Sequence, residues 1–278
     1  MSLTRESNYQ MKPTATPGGN RLRALREYAG RTQLDVEFDA SLGMGYLQRV
    51  ESGKVQHPEK ETLERILTAL GARYSERREI LELFGYVVDT PLPNDDEIQW
   101  AVEACQQELD NAVFPAYLLD CAHRLLVWNR FAERLFPIRE RHLHAVSMPR
   151  ILYDPAYGVT PLISNPDVFF PAQVRALRYE MQLVRGEAWY ESLLNDLLAE
   201  CPLFRKYWEE TEGEPRHPIA ARPLFPIELT LPDVGRLQFW LTSEPFAQDR
   251  RFRVIYYLPA DSVTMRQCVA WLQVNEKG

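Results

Sequence analysis

The hydrophobic pattern of this chain changes its period on either side of residues 90–96, Thr-Pro-Leu-Pro-Asn-Asp-Asp. Before this segment, apolar residues recur at helical spacing between turn residues, whereas after residue 114 short runs typical of strands alternate with helices. Closely spaced prolines followed by acidic residues favour a linker. Because 278 residues also exceed one hydrophobic core of ordinary size, the sequence predicts two domains.

We expect a flexible arm over residues 1–18, a first domain over 19–86, a linker over 87–96 and a second domain over 97–278. The sequence of the first domain predicts five short helices, over 21–28, 32–40, 43–52, 58–70 and 75–84. Thr32 and Asp35 form a capping-box start for the second of them, and glycines stand where several end. The first domain is therefore predicted to be compact and all-α.

The sequence of the second domain predicts an α+β fold. Five strands are expected over 117–120, 125–128, 224–229, 236–242 and 252–258. Helices are expected over 97–109, 129–136, 172–188, 190–199, 203–210 and 262–274, with a proline-rich irregular stretch over 137–171. Two strands, a run of helices and three further strands are the connectivity of a PAS-like five-stranded antiparallel sheet with helices inserted on one side.

Residues 33–51 fit two helices that cross at a tight turn, with Val36, Leu42, Leu47 and Val50 buried between them. The second helix would present its first turns to the major groove of DNA, which is about as wide as a helix. Arg49 can pair bidentately with guanine and Gln48 with adenine, while Lys54 is placed for phosphates. The predicted DNA contacts are Gln33, Met44, Gly45, Gln48, Arg49 and Lys54.

Three motifs of this region, Leu22-Arg-Ala-Leu-Arg-Glu, Thr32-Gln33 and Tyr46-Leu47-x-x-Val50-Glu51-x-Gly53, resemble the signature of Xre-type (lambda-repressor-like) helix-turn-helix domains. The resemblance covers residues 19–86 and implies sequence-specific binding of double-stranded DNA. Two positions depart from the pattern. Glu37 replaces the usual small residue and must point outward or find a partner, and Ser41 replaces the turn glycine at modest strain. The alternative is a helical bundle that serves protein contacts.

Short motifs in the second domain occur in a recognisable order: Pro115-Ala116-Tyr117-x-x-Asp120, Leu126-x-Trp128-Asn129, Tyr153-Asp154-Pro155, Leu177-Arg178, Phe204-x-x-x-Trp208 and His217-Pro218. This succession resembles the ligand-binding domain of MmyB-like regulators over residues 97–258. The resemblance implies a PAS-like domain that binds a small molecule and controls the linked DNA-binding domain. The long segment 149–171 departs from the family pattern. The alternative is a second domain that serves only dimerisation or partner binding.

The predicted helix over 172–188 carries an apolar stripe that includes Val174, Leu177 and Met181, and Arg178 borders it. A guanidinium at the edge of a core needs a partner, which is either Glu180 or another carboxylate of the domain, or the carboxylate of a ligand. If the partner of Arg178 is a ligand carboxylate, the predicted ligand is a fatty acid or a similar amphiphilic anion. Its predicted contacts are Trp128, Asn129, Arg178, Met181, His217 and Phe239.

Charge restricts where DNA can be bound. Residues 19–86 hold 11 Lys and Arg against 11 Asp and Glu, whereas the whole chain has a net charge of −7. The acidity therefore lies in the C-terminal part, which phosphates repel. Because one helix-turn-helix domain makes few contacts, we expect a homodimer on a two-fold operator, paired through the acidic second domain or its last helix.

The sequence lacks the motifs of several other classes of protein. The sequence holds no Gly-x-Ser-x-Gly, no glycine-rich phosphate loop and no His-Glu-x-x-His, so no enzyme activity is expected. No haem or flavin motif predicts a cofactor, and His142 and His144 have no further ligands at metal-binding spacing, so no metal is expected. Without a signal segment or a long apolar run, we expect a cytoplasmic protein with no membrane partner.

Overall fold

The computed structural model of this chain describes residues 15–136, 146–182, 184, 186–212 and 224–274. The chain divides into two compact units, Met1–Val88 and Asp89–Gly278. The division falls within residues 87–96, the segment expected as a linker. No helix in the described part of the chain is long and apolar enough to cross a membrane.

The first unit is all-α, as predicted. Its helices are α1 (Pro17–Tyr28), α2 (Gln33–Asp39), α3 (Tyr46–Glu51), α4 (Lys60–Ala69) and α5 (Tyr74–Leu83). All of them contribute to one core, in which the fully buried side chains are Leu22, Val36, Leu47, Val50, Leu63, Ile66, Leu67, Ile80 and Leu81. The capping box predicted for α2 is present, because Thr32 and Asp35 bond reciprocally to each other's backbone.

Helix α1 begins inside residues 1–18, which were expected to be a flexible arm. Thr16 caps it by accepting a hydrogen bond from the Gly19 N–H, and Pro17 occupies the first helical position, where its missing N–H costs nothing. Gly18 lies against the ring of Phe84, and a Cβ on Gly19 would come within 2.6 Å of the Val50 carbonyl oxygen. The two glycines therefore serve close packing, which explains why this part of the prediction was wrong.

The second unit contains α6 (Asp95–Asn111), β1 (Ala116–Asp120), β2 (Leu125–Trp128), α7 (Ala132–Leu135), α8 (Met148–Tyr153), α9 (Pro166–Gln182), α10 (Ala188–Glu200), α11 (Pro202–Glu210), β3 (Phe225–Leu231), β4 (Gly235–Pro245), β5 (Phe252–Pro259) and α12 (Ser262–Val274). The strands form one antiparallel sheet in the order β2-β1-β5-β4-β3. The predicted α+β fold with a five-stranded antiparallel sheet is confirmed.

The two faces of the sheet pack against different helices, because successive side chains of a strand point to opposite sides. From β1 and β5, Ala116, Leu118, Phe252 and Val254 pack with α6 in a small cluster. Their neighbours Tyr117, Leu119 and Tyr257 face the larger cluster, which is built with α8, α9 and α11. Arg253 lies between Phe252 and Val254 in β5, so it belongs to the face of the larger cluster.

The proline-rich stretch 137–171 is not irregular where the structure describes it. Helix α8 and the first turns of α9 lie within it, and both helices have proline in their first turn, where no backbone N–H is needed. Pro149 and Pro166 therefore start helices instead of preventing them. Helix α9 also ends at Gln182, earlier than the predicted residue 188.

Ser41 adopts a left-handed backbone conformation with φ of 52° in the turn between α2 and α3. An L-residue pays about 1–2 kcal/mol for this conformation, and glycine loses about 0.5–1 kcal/mol more chain entropy on folding. We expect Ser41→Gly to raise the free energy of unfolding of the first unit by about 0.5–1 kcal/mol in urea denaturation of the whole chain. Ser41→Ala keeps the Cβ and should give no gain. Equal effects of the two substitutions would contradict this explanation.

Candidate functional site

The start of α3, the predicted reading helix, is held by a carboxylate from α2. Glu37 is only 4% exposed, and its Oε2 accepts a hydrogen bond from the Gly45 N–H at 2.9 Å. Its Oε1 accepts one from the Leu47 N–H at 2.8 Å. Gly45, the residue before α3, has no side chain that could cap the helix. Glu37 thus finds its partner in the backbone N–H groups at the N-terminus of α3. This residue, which departs from the helix-turn-helix pattern, fixes the position of α3 against α2.

The end of α3 is held by a buried ion pair. Glu51 is fully buried and accepts two hydrogen bonds from the Arg26 guanidinium, at 2.7 and 3.0 Å. The hydrogen bond to Glu51 is the largest cause of the raised pKa of Arg26. Gln33, a predicted DNA contact, donates its side-chain N–H to Glu51 at 2.7 Å. Its side-chain amide is therefore part of the support of α3.

The outer side of α3 carries most of the other predicted DNA contacts. Gln48 and Arg49 are exposed, while Leu47 before them and Val50 after them are buried. Met44 is 87% exposed in the turn before α3, and Lys54 is exposed just after the helix. Arg49 lies over the Tyr46 ring, with 5.4 Å between the guanidinium carbon and the ring centre. This surface offers donors for base edges and for phosphates.

Two exposed apolar side chains of α2 were missed by the sequence reasoning. Leu34 and Phe38 lie four residues apart, on one face of the helix, and Phe38 is 83% exposed. Exposed apolar side chains indicate a binding site only when they form a contiguous patch. The sequence does not reveal which face of α2 is outward, so it could not indicate such a patch. Apolar side chains can contact the methyl group of thymine, so Leu34, Phe38 and Met44 join the candidate DNA surface.

The second unit has a cavity of about 90 Å³ between the sheet and helices α8 and α9. Its apolar wall comprises Tyr117, Leu119, Met148, Pro149, Leu152, Phe169, Ala176, Leu177, Phe225, Leu241 and Ile255. Its polar lining residues are His123, Gln173, Glu180, Thr242, Ser243 and Arg253. The cavity is therefore amphiphilic, with much more apolar than polar wall.

Three of the polar residues form a cluster, which we call the polar cluster: His123, Glu180 and Arg253. Arg253 donates a hydrogen bond from its guanidinium to Glu180 across the space between β5 and α9. His123 comes from the β1–β2 turn, and its Nε2 lies 3.9 Å from Oε2 of Glu180. Burial, together with the positive charge of Arg253, lowers the pKa of His123 well below its usual range. The imidazole is therefore neutral at physiological pH.

The Nε2 atom of His123 is buried and has no hydrogen-bond partner among the residues that the structure describes. The side chain is only 9% exposed, and the residue lines the cavity. Its backbone is also unusual for a residue with a Cβ, with φ of 59°, and its carbonyl accepts a hydrogen bond from the Met148 N–H at 2.8 Å. A buried polar atom needs a partner, so this atom marks a place where a ligand group can bind.

The five predicted ligand contacts that the structure describes do not line this cavity. Met181 and Phe239 are buried in the main core, and Trp128 donates its indole N–H to Glu133 at 3.2 Å. Arg178 lies 3.7 Å from the centre of the Trp208 ring and donates to the Trp208 carbonyl. His217 lies outside the described residues.

Asn129 has a structural role that uses its whole side chain. The side-chain oxygen accepts hydrogen bonds from the backbone N–H groups of Ala116, Phe131 and Ala132. Its amide nitrogen donates to the carbonyls of Leu109 and Phe114. These bonds hold the turn that leads into α7, whose N-cap is Phe131, so the helix expected from residue 129 begins three residues later. No donor or acceptor of the amide remains for a ligand, which explains why it does not belong to the cavity.

One signal in the sequence could have indicated the polar cluster. Arg253 alternates with Phe252 and Val254 in a strand rich in large apolar residues, so either Arg253 or its neighbours had to face a core. An arginine on the inward face of a central strand needs a partner, and it then points to a site. The partner Glu180 and the turn residue His123 are far from it in sequence.

The described residues contain no group of three or more His, Cys, Asp and Glu side chains that could hold a metal ion. His142 and His144 lie outside the described residues. The four cysteines are buried, and burial raises the pKa of Cys105 and of Cys121 to about 12 and that of Cys268 to about 11. These thiols are protonated at neutral pH.

Residues 102–269 match the family model of the MmyB-like transcription regulator ligand binding domain, and residues 19–80 match that of a helix-turn-helix domain. Among solved structures, that of an RNA-binding light-oxygen-voltage receptor is 10% identical over 92% of this chain, with a TM-score of 0.28. This chain spans 63% of the length of that receptor chain. No curated protein matches the chain.

The cap that Glu37 places on α3 can be tested by substitution. Glu37→Ala leaves the Gly45 and Leu47 N–H groups without their acceptors, and hydrogen bonds to a charged group contribute about 1.5–3 kcal/mol each. We expect the free energy of unfolding of the first unit to fall by about 2–3 kcal/mol and the Leu47 amide to exchange its hydrogen faster. Asp39→Ala, which removes an exposed ion pair with Arg31 from the same helix, should cost less than about 1 kcal/mol. Unchanged exchange at Leu47 in Glu37→Ala would refute the capping role.

Proposed function

Since the chain belongs to the family of MmyB-like transcription regulators, we propose that it selects its operators with α3 and responds to a small amphiphilic molecule bound in the cavity beside α9. The observation that carries the proposal is the pairing of two features in one chain. The first is helix α3, which is held at both ends and exposes Gln48 and Arg49. The second is an amphiphilic cavity with a buried imidazole nitrogen that has no hydrogen-bond partner in the described part of the chain.

The proposed DNA contacts depend on how α3 is held at its two ends. Glu37 holds its start and Glu51 anchors its end, so Gln48 and Arg49 project from a backbone that is fixed at both ends. Fixed side chains of this kind can read base edges in the major groove. Residues 19–86 have equal numbers of basic and acidic residues, so attraction to phosphates is weak and base contacts must supply most of the selectivity.

The proposed class of ligand follows from the residues that line the cavity. Its apolar part suits an alkyl or aromatic group, and the polar cluster suits one polar group. A fatty acid is one such amphiphile. Its tail would need more room than about 90 Å³, because sites for drug-sized ligands have about 300–1,000 Å³. Binding of a long chain would therefore require the helices beside the sheet to move apart.

We also propose that the regulator works as a homodimer, with α12 as the paired surface. Met265 and Val269 lie one turn apart on the same face of this helix, and each is about half exposed. An apolar helix face of this kind is typical of a contact between protein chains. Two copies would supply the two reading helices that half-sites about one helical turn of DNA apart require.

Substitutions on the reading surface test the proposed DNA contacts. Arg49→Ala should weaken binding to the cognate operator by about 1–3 kcal/mol, because a bidentate contact to a base is lost. Lys54→Ala should weaken binding to all sequences alike and reduce the slope of affinity against salt concentration by about one. Both effects can be measured by fluorescence anisotropy on a selected operator and on a scrambled duplex. Unchanged operator selection by Arg49→Ala would contradict the proposal.

The dimer surface can be tested by light scattering. Val269→Glu places a charge in the proposed interface and should shift the protein from dimer to monomer at micromolar concentration. Gln267→Glu introduces the same charge on the opposite side of the helix from Val269 and should leave the dimer intact. A monomeric wild-type protein, both free and on its operator, would rule out this arrangement.

A further inference from the structure

We propose that the cavity beside α9 selects amphiphiles whose polar group is uncharged, such as an alcohol or an amide, and discriminates against carboxylates. The inference rests on the proposed function, because it names the class of molecule that the sensory cavity takes. It differs from the expectation of a fatty acid, and it rests on three features of the polar cluster.

The first feature is that the chain supplies its own carboxylate to the cationic group of the cavity. Arg253 is the arginine among the described lining residues, and Glu180 already accepts a hydrogen bond from it. Both side chains are substantially buried, with exposures of 15% and 35%. A ligand carboxylate would have to displace Glu180 or lie beside it. Binding beside Glu180 would bring two negative charges together at a partly desolvated site, and displacing Glu180 would break its ion pair with Arg253.

The second feature is the imidazole of His123. Because it is neutral, its Nε2 can donate or accept one hydrogen bond, according to the tautomer. A hydroxyl group can meet either requirement, whereas a carboxylate can only accept. The nitrogen also lies 3.9 Å from Oε2 of Glu180, so an anion bound to it would be close to that carboxylate. An uncharged hydroxyl or amide can bond to Nε2 and to Glu180 at the same time.

The third feature is the size of the cavity. A volume of about 90 Å³ is well below the roughly 300–1,000 Å³ of sites for drug-sized ligands. This space accommodates a short alkyl chain with one polar group. The apolar wall includes Leu119, Leu152 and Leu177, which would enclose such a chain. A short, uncharged amphiphile therefore fits the charge and the volume of the cavity together.

Two probes of equal chain length separate the alternatives. Isothermal titration calorimetry of the whole wild-type protein with 1-hexanol and with hexanoate at neutral pH should give at least about tenfold tighter binding of the alcohol. This comparison needs no substitution. Tighter binding of hexanoate, or a fatty acid extracted from the purified protein and identified by mass spectrometry, would overturn the inference and leave the proposed sensory cavity standing.

A substitution at Glu180 tests the cause of the selectivity. Glu180→Gln removes the carboxylate that neutralises Arg253 and keeps the size of the side chain, so affinity for hexanoate should rise about tenfold or more while affinity for 1-hexanol changes little. Glu191→Gln removes an exposed carboxylate that does not line the cavity and should leave both affinities unchanged. No gain for hexanoate in a folded Glu180→Gln protein would refute the role of Glu180. If neither probe binds the wild type or the variant, the proposed ligand site itself is wrong.

Discussion

The pairing of β5 with β1 on one side and β4 on the other holds the second unit together. β1 comes early in this unit and β5 near its end, so their ladder joins two distant parts of the chain, from Ala116 opposite Tyr256 to Asp120 opposite Phe252. The other features of the unit depend on this ladder. It fixes which residues of β5 face α6 and which face α9, and in this register Arg253 lies opposite Leu119 and reaches Glu180. The amphiphilic cavity is thus a consequence of strand register.

The sequence was sufficient to predict the strands, because period-two alternation and bulky side chains mark them clearly. It was less informative about the proline-rich region. Proline starts a helix as readily as it interrupts one, and nothing local distinguishes Pro149 and Pro166 from prolines in a loop. The sequence also did not predict which residues of α9 line the cavity. The apolar stripe of Val174, Leu177 and Met181 is buried, but the expected ligand contacts Arg178 and Met181 do not line the cavity, whereas Leu177 and Glu180 do. Arg178 found an aromatic partner, Trp208, which no periodicity could indicate.

In the first unit, the departure at Glu37 became intelligible only from the structure. A small residue at this position lets two helices approach closely, and a glutamate there would ordinarily oppose burial. Here the carboxylate lies where two backbone N–H groups emerge from the start of α3, so the cost of burial is offset by two charge-assisted hydrogen bonds. The Glu51–Arg26 pair performs the matching task at the other end. Helix α3, with six residues, is too short to be stable alone, and these two carboxylates fix it to its neighbours.

The place of β5 in the sheet also affects how the protein is made. The core of the first unit consists of residues between Leu22 and Phe84, so it can assemble as soon as this part of the chain has left the ribosome. The sheet of the second unit has no central strand until Phe252–Pro259 has been synthesised. Until then, β1 and β4 each expose an unpaired edge, and contacts between distant residues form slowly. During translation the nascent chain therefore carries a finished helix-turn-helix unit and two pairs of strands with open edges, which are prone to associate with other chains.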